Sequence, residues 1–404
     1  MAFGSGQKKF LIIILKKSKF SGEIMSKIHW IGTGLSSIPG LRHLLNKNSE
    51  LYVWNRTLDK AVQLVGDLTD NIYQFNLESL QSELLKDDIV VSMLPGEWHV
   101  PIAKLCLNHS AHFVSSSYIS EEMRLLNSKA LEKNLTFINE VGLDPGIDHL
   151  MSHYLVHDYK SSTAYDPDNT IEFVSYCGGI PKIPNKFCYK FSWSPTGVLK
   201  ALKSPARSIK DFQELITERP WHQVEHFSLP SEDEEKFEVY PNRDSLPFIN
   251  QYQFGDDWKI KTFVRGTLRN IGWKNAWKQI FETIDNLDLE KDYSKLQKMS
   301  DELWETNTYA ENEPDRVVLN VSLKASKNQV IEYEKSYLLD AWGNEHGTAM
   351  ARLVSKPVAL AVEAIMNNNV ARGVSAAPDS PEIVENWLKE VAKESQVLRL
   401  IDGS

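Results

Sequence analysis

The chain has 404 residues, and its 45 Lys and Arg against 54 Asp and Glu leave a formal net charge of −9. Apolar residues make up 42 % and charged residues 25 % of the sequence, which is typical of a globular protein and excludes a disordered chain. The length predicts roughly two or three domains. The acidic balance argues against nucleic acid as the main partner, because phosphate binding needs a basic surface.

The cysteine content excludes two further classes of protein. Cys106, Cys177 and Cys188 have neither the spacing of a zinc site nor the density of a disulfide scaffold. We therefore expect no metal and a reducing, cytoplasmic environment. We also expect no membrane partner, since no apolar run approaches the ~20 residues that span a bilayer.

The amino-terminal segment is unlike the rest of the chain. Residues 10–15 are apolar and flanked by lysines, but they are too few for a membrane span, and no small-residue cleavage site follows them. We interpret residues 1–24 as a disordered segment or an upstream extension. An amphipathic segment that lies at a membrane surface is the alternative.

Short apolar runs alternate with helical patterns in the first third of the chain. Helical patterns cover residues 38–47, 57–65 and 120–133, with Thr57 as a candidate N-cap. The apolar runs around them are residues 28–31, 51–54, 88–93, 112–115 and 136–139. This alternation predicts right-handed crossovers and an α/β domain with a doubly wound parallel sheet over residues 25–146.

The alternation stops after residue 146. Strand patterns follow at residues 170–176, 187–191, 259–268, 317–323 and 330–338, and helical patterns at residues 273–300, 348–368 and 380–394. We therefore expect a second, α+β domain with a mixed sheet over residues 147–346. We expect the C-terminal segment, residues 347–404, to return to the first domain.

A glycine pair follows the first predicted strand. The candidate cofactor-binding residues there are Gly32, Gly34, Leu35 and Ser36, which precede a predicted helix. Glycine lets the backbone turn tightly and approach a pyrophosphate, whose charge the helix amino terminus stabilises. Ser37 occupies the place of the usual third glycine, so the motif is weakly specific. Its strand–turn–helix context predicts a Rossmann-type dinucleotide site; a doubly wound domain without this cofactor is the alternative.

The end of the second predicted strand indicates which cofactor binds. An NAD enzyme typically has a carboxylate there that holds the ribose hydroxyls, but this chain has Asn55, Arg56 and Thr57. Arg56 and Thr57 could bind a 2′-phosphate, because a guanidinium forks onto phosphate oxygens. The sequence therefore favours NADP. Asp59 leaves NAD possible, and a solvated loop cation is the alternative for Arg56.

Two more loops follow predicted parallel strands, at the edge where open sheets bind ligands. Leu94, Pro95 and His99 are candidates for cofactor binding, although a lone histidine is equally often structural. Ser117 and Tyr118 follow the next strand. Tyr118 could donate a hydrogen bond at the reacting centre or simply pack.

Three polar motifs lie beyond these loops. Asp144, in the turn GLDPGID, could act as a base or hold an ammonium group, whereas Asp148 could be a helix N-cap. Arg243, in YPNRDS, could bind a carboxylate bidentately or form a surface pair with Asp244. Cys177, in SYCGGIP, matches no generic catalytic motif.

Six motifs together resemble one family, the glutamate-forming saccharopine dehydrogenases, also called saccharopine reductases. The motifs are VGLDPGIDHL, SYCGGIP, YKFSW, YPNRDSLPF, VRGTLR and GVSAAPDSP. The resemblance covers the chain from about residue 27 to its end. It implies a Rossmann domain with a substrate domain, and a reversible NAD(P)-dependent oxidoreductase of lysine metabolism. That activity interconverts L-saccharopine with L-glutamate and 2-aminoadipate 6-semialdehyde.

The resemblance also implies roles for particular residues. Tyr118, Asp144 and Cys177 match positions near the family's reacting centre, and we expect catalytic residues among them. Ser117, Tyr118, Asp144 and Arg243 are the expected substrate-binding residues. No single residue is identified as the general base, since the amines of saccharopine could move protons instead.

Other assignments stay open in the sequence. Arg265 and Arg269 are weaker candidates for binding the carboxylates of the substrate, and could only stabilise the domain. A related oxidoreductase of secondary amines, such as carboxynorspermidine dehydrogenase, and a non-catalytic NADP-binding protein are the alternative functions. The aromatic stretch 273–284 could form a homodimer interface or a core helix.

Overall fold

The computed structural model describes residues 26–47, 50–231, 234–289 and 291–403. Residues 1–24, which we interpret as an extension, lie outside this range. Within the described residues, no helix is both long enough and apolar enough to cross a membrane.

Short strands alternate with helices in the first third of the chain, and longer strands occupy its middle. In chain order the strands are β1 (Ile28–Ile31), β2 (Leu51–Asn55), β3 (Ile72–Gln74), β4 (Ile89–Ser92), β5 (His112–Ser115), β6 (Thr136–Ile138), β7 (Thr170–Pro181), β8 (Ala206–Lys210), β9 (Gln213–Thr217), β10 (Glu225–Ser228), β11 (Lys236–Pro241), β12 (Lys259–Asn270), β13 (Asp315–Lys327), β14 (Val330–Trp342), β15 (Gly373–Ser375) and β16 (Val397–Asp402).

The helices connect and cover these strands. In chain order they are α1 (Ile38–Leu45), α2 (Leu58–Val65), α3 (Leu77–Glu83), α4 (His99–His109), α5 (Glu121–Arg124), α6 (Asn127–Glu132), α7 (Ile147–Ser161), α8 (Pro195–Lys203), α9 (Pro247–Gln251), α10 (Trp273–Ala276), α11 (Lys278–Asp285), α12 (Tyr293–Asn307), α13 (Ala349–Met366) and α14 (Pro381–Ala392).

The first sheet is parallel throughout, in the order β15-β6-β5-β4-β1-β2-β3. Strands β1, β4 and β5 are buried along their whole length, and their sequences are mostly apolar without alternation, as in parallel strands covered on both faces. The chain runs outward from β1 in one direction to β3 and in the other to β6. This confirms the predicted doubly wound domain, whose topological switch point lies at the carboxyl ends of β1 and β4.

The second sheet is mixed, in the order β10-β11-β12-β7-β13-β14-β16. Strands β7 and β12 are parallel, and the other neighbours in this order are antiparallel. Strands β13 and β14 form the antiparallel pair predicted from residues 317–323 and 330–338. The predicted α+β domain with a mixed sheet is therefore confirmed.

The C-terminal segment contributes to both sheets. Helix α13 packs against α1, where the Gly40 amide donates to Ser355 Oγ (2.8 Å), and β15 extends the first sheet. Strand β16 instead pairs with β14 of the second sheet. The segment therefore does not return to the first domain as a whole. Strand β16 was not predicted, because it is an edge strand without a fully buried residue and so has no clear apolar face.

In the second domain one strand prediction was wrong, and the predicted helical stretch is divided into three helices. Residues 187–191 form no strand of either sheet; Phe191 makes only an isolated bridge with Thr308. Their apolar pattern arises because Tyr189 and Phe191 pack on Trp277. The stretch 273–300 is divided among α10, α11 and α12, and Trp273 is fully buried within the chain. These aromatic residues therefore form a core and not an exposed interface.

One continuous hydrophobic core joins the two sheets. It includes Val91 of β4, Leu150 of α7, Leu319 of β13 and Leu353 of α13. Helices α7 and α13 thus pack with residues from both domains. This shared core fixes the carboxyl edge of the first sheet relative to the second.

Candidate active site

The turn after β1 holds the predicted cofactor-binding glycines. Gly32 has a φ of +101°, and a Cβ on it would lie 3.0 Å from the carbonyl oxygen of Met93. Apart from its chain neighbours, no atom of the described residues lies within 4 Å of a Cβ built on Gly34. Thr33 Oγ1 is buried without a hydrogen-bond partner. An open surface beside an unpaired hydroxyl fits the phosphates of a dinucleotide.

Ser37 fixes the shape of this turn. Its Oγ donates to the Gly32 carbonyl (2.7 Å) and accepts from Trp30 Nε1 (2.8 Å). Leu35 is 51 % exposed and Ser36 is half-buried, so both lie on the accessible side of the turn. Their predicted role in cofactor binding stays a prediction that this geometry permits.

The end of β2 is tied to the glycine turn. Asn55 Oδ1 accepts from the Thr33 amide (3.2 Å), and Asn55 Nδ2 donates to the Thr57 carbonyl (2.7 Å). Thr57 stands at the N-cap of α2 without a side-chain cap bond. Arg56 is exposed and forms no ion pair with any described residue. Its guanidinium is therefore free to bind an anion.

His99 connects the ends of two neighbouring strands. One ring nitrogen lies 2.9 Å from Ser92 Oγ and the other 2.8 Å from Ser117 Oγ. Burial lowers the pKa of His99 to about 4, so the ring is neutral at neutral pH. Leu94 is half-buried and Pro95 is exposed beside it. His99 thus positions Ser117, and its contact with a cofactor stays a prediction.

Two carboxylates and a tyrosine meet one arginine between the two domains. Arg265 Nη2, from β12, donates to Asp144 Oδ1 and to Asp148 Oδ2, both at 2.6 Å. The Tyr118 hydroxyl donates to Asp144 Oδ1 (3.1 Å) and lies 3.3 Å from the Arg265 guanidinium. The structure therefore brings Tyr118 and Asp144 together as predicted, and adds Arg265 and Asp148 to them.

The two carboxylates have different environments. Burial raises the pKa of Asp144 against the opposing effect of Arg265, and the charge of Asp148 raises it further. Burial also opposes ionisation of Asp148, but the positive charges of His149 and Arg265 bring its pKa below the usual value. The side chain of Asp144 keeps 14 % exposure, whereas that of Asp148 has none. Asp144 is therefore the accessible, titrating member of the pair.

The turn around Asp144 depends on two glycines. The Gly142 amide donates to the Pro145 carbonyl (2.9 Å), and Gly146 has a φ of +146°. A Cβ on Gly146 would lie 2.1 Å from the Gly142 carbonyl oxygen. Asp148 is not the N-cap that we expected, because α7 begins at Ile147. Asp148 Oδ1 instead accepts from the Gly146 amide (2.7 Å), which closes the turn from inside the helix.

Cys177 lies on β7, beside Thr267 of β12 and Leu319 of β13. It is 7 % exposed, and burial together with the charge of Asp144 raises its thiol pKa well above the usual value. The thiol therefore stays protonated at neutral pH. Near the reacting centre it can pack or donate a weak hydrogen bond, but it is not a thiolate base.

Arg243, like Arg265, lies beside the ring of Tyr118. Its guanidinium lies 5.2 Å from the ring centroid of Tyr118, and its backbone has a φ of +58°. Asp244 pairs with Arg207 (2.8 Å) and not with Arg243. The alternative of an Arg243–Asp244 surface pair is therefore wrong, and the exposed guanidinium is available to a ligand.

Arg269 is a buried cation without a carboxylate partner among the described residues. It is 6 % exposed, and its guanidinium lies over the rings of Tyr189 (4.7 Å) and Tyr240 (5.5 Å). Its Nε and the nearby Trp273 Nε1 are buried without hydrogen-bond partners. Such unpaired donors are costly to bury, which indicates a site for an anion.

Sequence reasoning missed three residues beside the cluster. Glu140, His149 and Tyr252 are all buried and form a hydrogen-bonded group next to Asp148. The only local signal was a pair of ionisable residues, Glu140 and His149, inside an otherwise apolar stretch. Their partners come from different elements, so spacing along the chain could not predict the contacts. In the described ranges, no group of three or more His, Cys, Asp and Glu side chains could hold a metal ion.

Two family models match nearly all of the described chain. The model described as Saccharopine dehydrogenase NADP binding domain matches residues 28–138. The model described as Saccharopine dehydrogenase C-terminal domain matches residues 142–397. The boundary between the two matches falls at residues 139–141, directly before the turn that carries Asp144.

Curated relatives differ in how much of their length this chain spans. It is 35 % identical to the alpha-aminoadipic semialdehyde synthase of Arabidopsis thaliana, over 48 % of this chain and 18 % of the relative. It therefore spans less than a fifth of that plant protein. It is 25 % identical to the saccharopine dehydrogenase (NADP(+), L-glutamate-forming) of Schizosaccharomyces pombe, over 92 % of this chain and 97 % of the relative.

A solved structure has the same architecture. The apo saccharopine dehydrogenase (L-Glu forming) from Saccharomyces cerevisiae superposes with a TM-score of 0.76 at 25 % identity. The superposition covers 94 % of this chain and 100 % of the yeast chain. The two-sheet arrangement is therefore common to both proteins.

Proposed function

The chain belongs to the saccharopine dehydrogenase family, and we propose that it oxidises L-saccharopine reversibly to L-glutamate and 2-aminoadipate 6-semialdehyde with NADP. The observation that carries this proposal is the cluster in which Tyr118 and Asp144 meet Arg265 between the two domains. The cluster lies at the carboxyl edge of the first sheet, the same edge as the glycine turn. A substrate bound there would reach a cofactor bound at the turn.

The reaction sets requirements that this cluster meets. The secondary amine of saccharopine loses a proton, the adjacent carbon gives up hydride, and water adds to the resulting imine before the carbinolamine breaks into the two products. NADP, when bound, accepts the hydride. Asp144 is suited to exchange the protons, because it is accessible and its pKa is raised. Tyr118 holds Asp144 in place through its hydroxyl.

The three carboxylates of saccharopine need cationic partners. Arg265 is already neutralised by Asp144 and Asp148, so it orients the cluster and has little charge left for the substrate. Arg243 and Arg269 have no ion pair within the described residues. We assign these two arginines to the carboxylates of the substrate, with Ser117 and Tyr118 lining the space between the domains.

Residues 28–138 form an NADP-binding domain of this family. We assign the pyrophosphate to Gly32, Gly34, Leu35 and Ser36, and the loop after β4 to the rest of the cofactor. Exposed Arg56 is our candidate ligand for the 2′-phosphate.

The proposal includes a cytoplasmic enzyme with a small-molecule substrate. Its support is that Cys106, Cys177 and Cys188 are free thiols, as in a reducing compartment. We also propose a homodimer. The aromatic side chains of residues 273–284 are buried within the chain, so they do not form its interface.

The test is an absorbance assay of NADPH formation with L-saccharopine, run in parallel with NADP and NAD. We expect saccharopine-dependent reduction with a preference for NADP, and we expect Arg56→Ala to abolish that preference without affecting NAD. Lys60→Ala, which changes an exposed cation on α2, is the matched control. No turnover in either direction would refute the activity, and carboxylated polyamines would then be the substrates to screen.

A further inference from the structure

Glu140 ties together three segments around the reacting centre. It follows β6 by two positions, has a φ of +55° and is 2 % exposed. Its Oε1 accepts from the Ile119 amide (2.9 Å), and its Oε2 accepts from Gln251 Nε2 (3.0 Å) and lies 3.0 Å from His149 Nε2. A strained, buried carboxylate whose two oxygens are both hydrogen-bonded indicates a specific structural task.

These contacts join the two domains. Ile119 directly follows Tyr118 in the loop after β5, so Glu140 anchors the backbone beside the tyrosine. Gln251 ends α9 of the second domain, and His149 lies in the first turns of α7. Loss of the carboxylate would therefore release the Tyr118 loop and the second domain from the same point.

His149 continues the connection to the carboxylates. Its Nδ1 lies 2.9 Å from the Tyr252 hydroxyl and 3.5 Å from Asp148 Oδ2, and Tyr252 itself donates to Asp148 (3.4 Å). Phe248 stacks on the imidazole, with ring centroids 5.4 Å apart. Glu140 and His149 thus reach Asp148, Arg265 and finally Asp144 through direct contacts.

The charge of this group affects Asp144. A protonated His149 lowers the pKa of Asp144 and of Asp148. Other charged or titratable groups surround this cluster. They are Arg265 and Arg269 from β12, Cys177 from β7, His153 from α7, Tyr252 directly after α9, Asp379 before α14, and Tyr118 with Arg243 from the loops. The contact with Glu140 Oε2 holds the imidazole of His149 in this position.

We propose that Glu140 and His149 act as a pair of positioning residues, which hold the Tyr118 loop against the second domain and keep the imidazole next to Asp148. This inference rests on the proposed saccharopine oxidation, because it assigns the pair to the protonation state of Asp144 in that reaction. Neither residue touches the substrate or the cofactor in this assignment.

The test compares Glu140→Gln and His149→Gln with the wild type in the saccharopine assay across pH. Glutamine at position 140 keeps an acceptor for Ile119 and removes the charge. We expect kcat to fall about ten- to hundredfold, because catalytic groups are displaced. We expect His149→Gln to move the acidic limb of kcat/KM upward by about half a pH unit to one unit, because the imidazole whose positive charge lowers the pKa of Asp144 is removed. Glu140→Gln removes no cation, so its readout is the fall in kcat. KM for NADP should stay within about twofold of the wild-type value, because neither residue is assigned to the cofactor.

Glu363→Gln is the matched control. Glu363 forms a similar pair with His43 (2.9 Å), but between α1 and α13 and away from the cluster. We expect its pH profile to overlay that of the wild type.

Three results have different meanings. Profiles of both variants that overlay the wild type would overturn the inference, and so would loss of folding in both, since the pair would then be purely structural. If Glu140→Gln fails to fold, His149→Gln decides by the position of its acidic limb. If His149→Gln fails to fold, Glu140→Gln decides by whether kcat falls while KM for NADP stays unchanged. A wild type that is inactive on saccharopine would contradict the proposed function instead.

Discussion

At the scale of single residues, the site is defined by one guanidinium nitrogen shared between two carboxylates. Arg265 Nη2 lies 2.6 Å from both Asp144 and Asp148. Because the environments shift their pKa values in opposite directions, the two acids have different tasks: Asp148 stays ionised and holds Arg265, and Asp144 can exchange a proton. The first prediction concerns that exchange.

Asp144→Asn should lower kcat/KM for saccharopine by about two orders of magnitude, the usual contribution of a general base. Oxidation needs the ionised carboxylate, so wild-type kcat/KM should rise as pH increases through the raised pKa of Asp144. In the variant this acidic limb should be lost. A pH series of initial rates measures both effects, and Asp67→Asn, at an exposed pair with Arg42, is the control. An unchanged acidic limb in Asp144→Asn would assign the titration to another group.

The second residue-scale prediction concerns the buried cation. Arg269→Gln should raise KM for saccharopine by about ten- to hundredfold, which corresponds to the loss of about 1.5–3 kcal/mol from a charged hydrogen bond. KM for NADP should not change, since Arg269 belongs to the second domain. Arg399→Gln, on exposed β16, is the control. A lower melting temperature with an unchanged KM for saccharopine would show that Arg269 only stabilises its aromatic surroundings.

At the scale of elements, α13 is the part of the C-terminal segment that supports the cofactor domain. It packs on α1 so closely that a Cβ on Gly40 would lie 2.1 Å from the Ser355 carbonyl oxygen. Helix α1 starts just after the glycine turn. The position of the turn therefore depends on a distant helix, since Gly40 and Ser355 are 315 residues apart in sequence.

Gly40→Ala should destabilise the protein by about 1–3 kcal/mol, because the added methyl group overpacks the contact between α1 and α13. Gly34→Ala is the matched variant, since the space above Gly34 is open. It should leave stability unchanged and weaken NADP binding. Denaturant unfolding and a titration with NADPH separate the two effects. Equal stability of both variants would contradict the close packing of the two helices.

Local sequence patterns explain which elements could be predicted. Strands β1, β2, β4, β5 and β6 of the first sheet and the β13–β14 pair were predicted, because buried parallel strands and long hairpins have strong local patterns. The short edge strands β3 and β15 of the same sheet were not predicted. Strand β16 and the division of residues 273–300 were not, because their form depends on partners elsewhere in the chain. Among site residues, Tyr118 and Asp144 follow strands and were predicted. The contacts of Arg265, Glu140 and His149 cross domains, so only the fold reveals them.

At the scale of the whole molecule, the proposed site takes residues from both domains. The first domain provides the glycine turn and Tyr118, the connecting turn provides Asp144, and the second domain provides Arg243, Arg265 and Arg269. A shared core between the sheets keeps these parts together. The central claim is therefore that saccharopine is oxidised between the domains while NADP lies on the first.

The most direct test is the product balance of a reaction with purified protein, L-saccharopine and NADP. L-Glutamate and NADPH are quantified at several times, with reactions that lack saccharopine or contain Asp144→Asn as controls. The account predicts equimolar glutamate and NADPH in the wild-type reaction and almost none in the controls. NADPH without glutamate, or no NADPH although the folded protein binds it, would contradict the account.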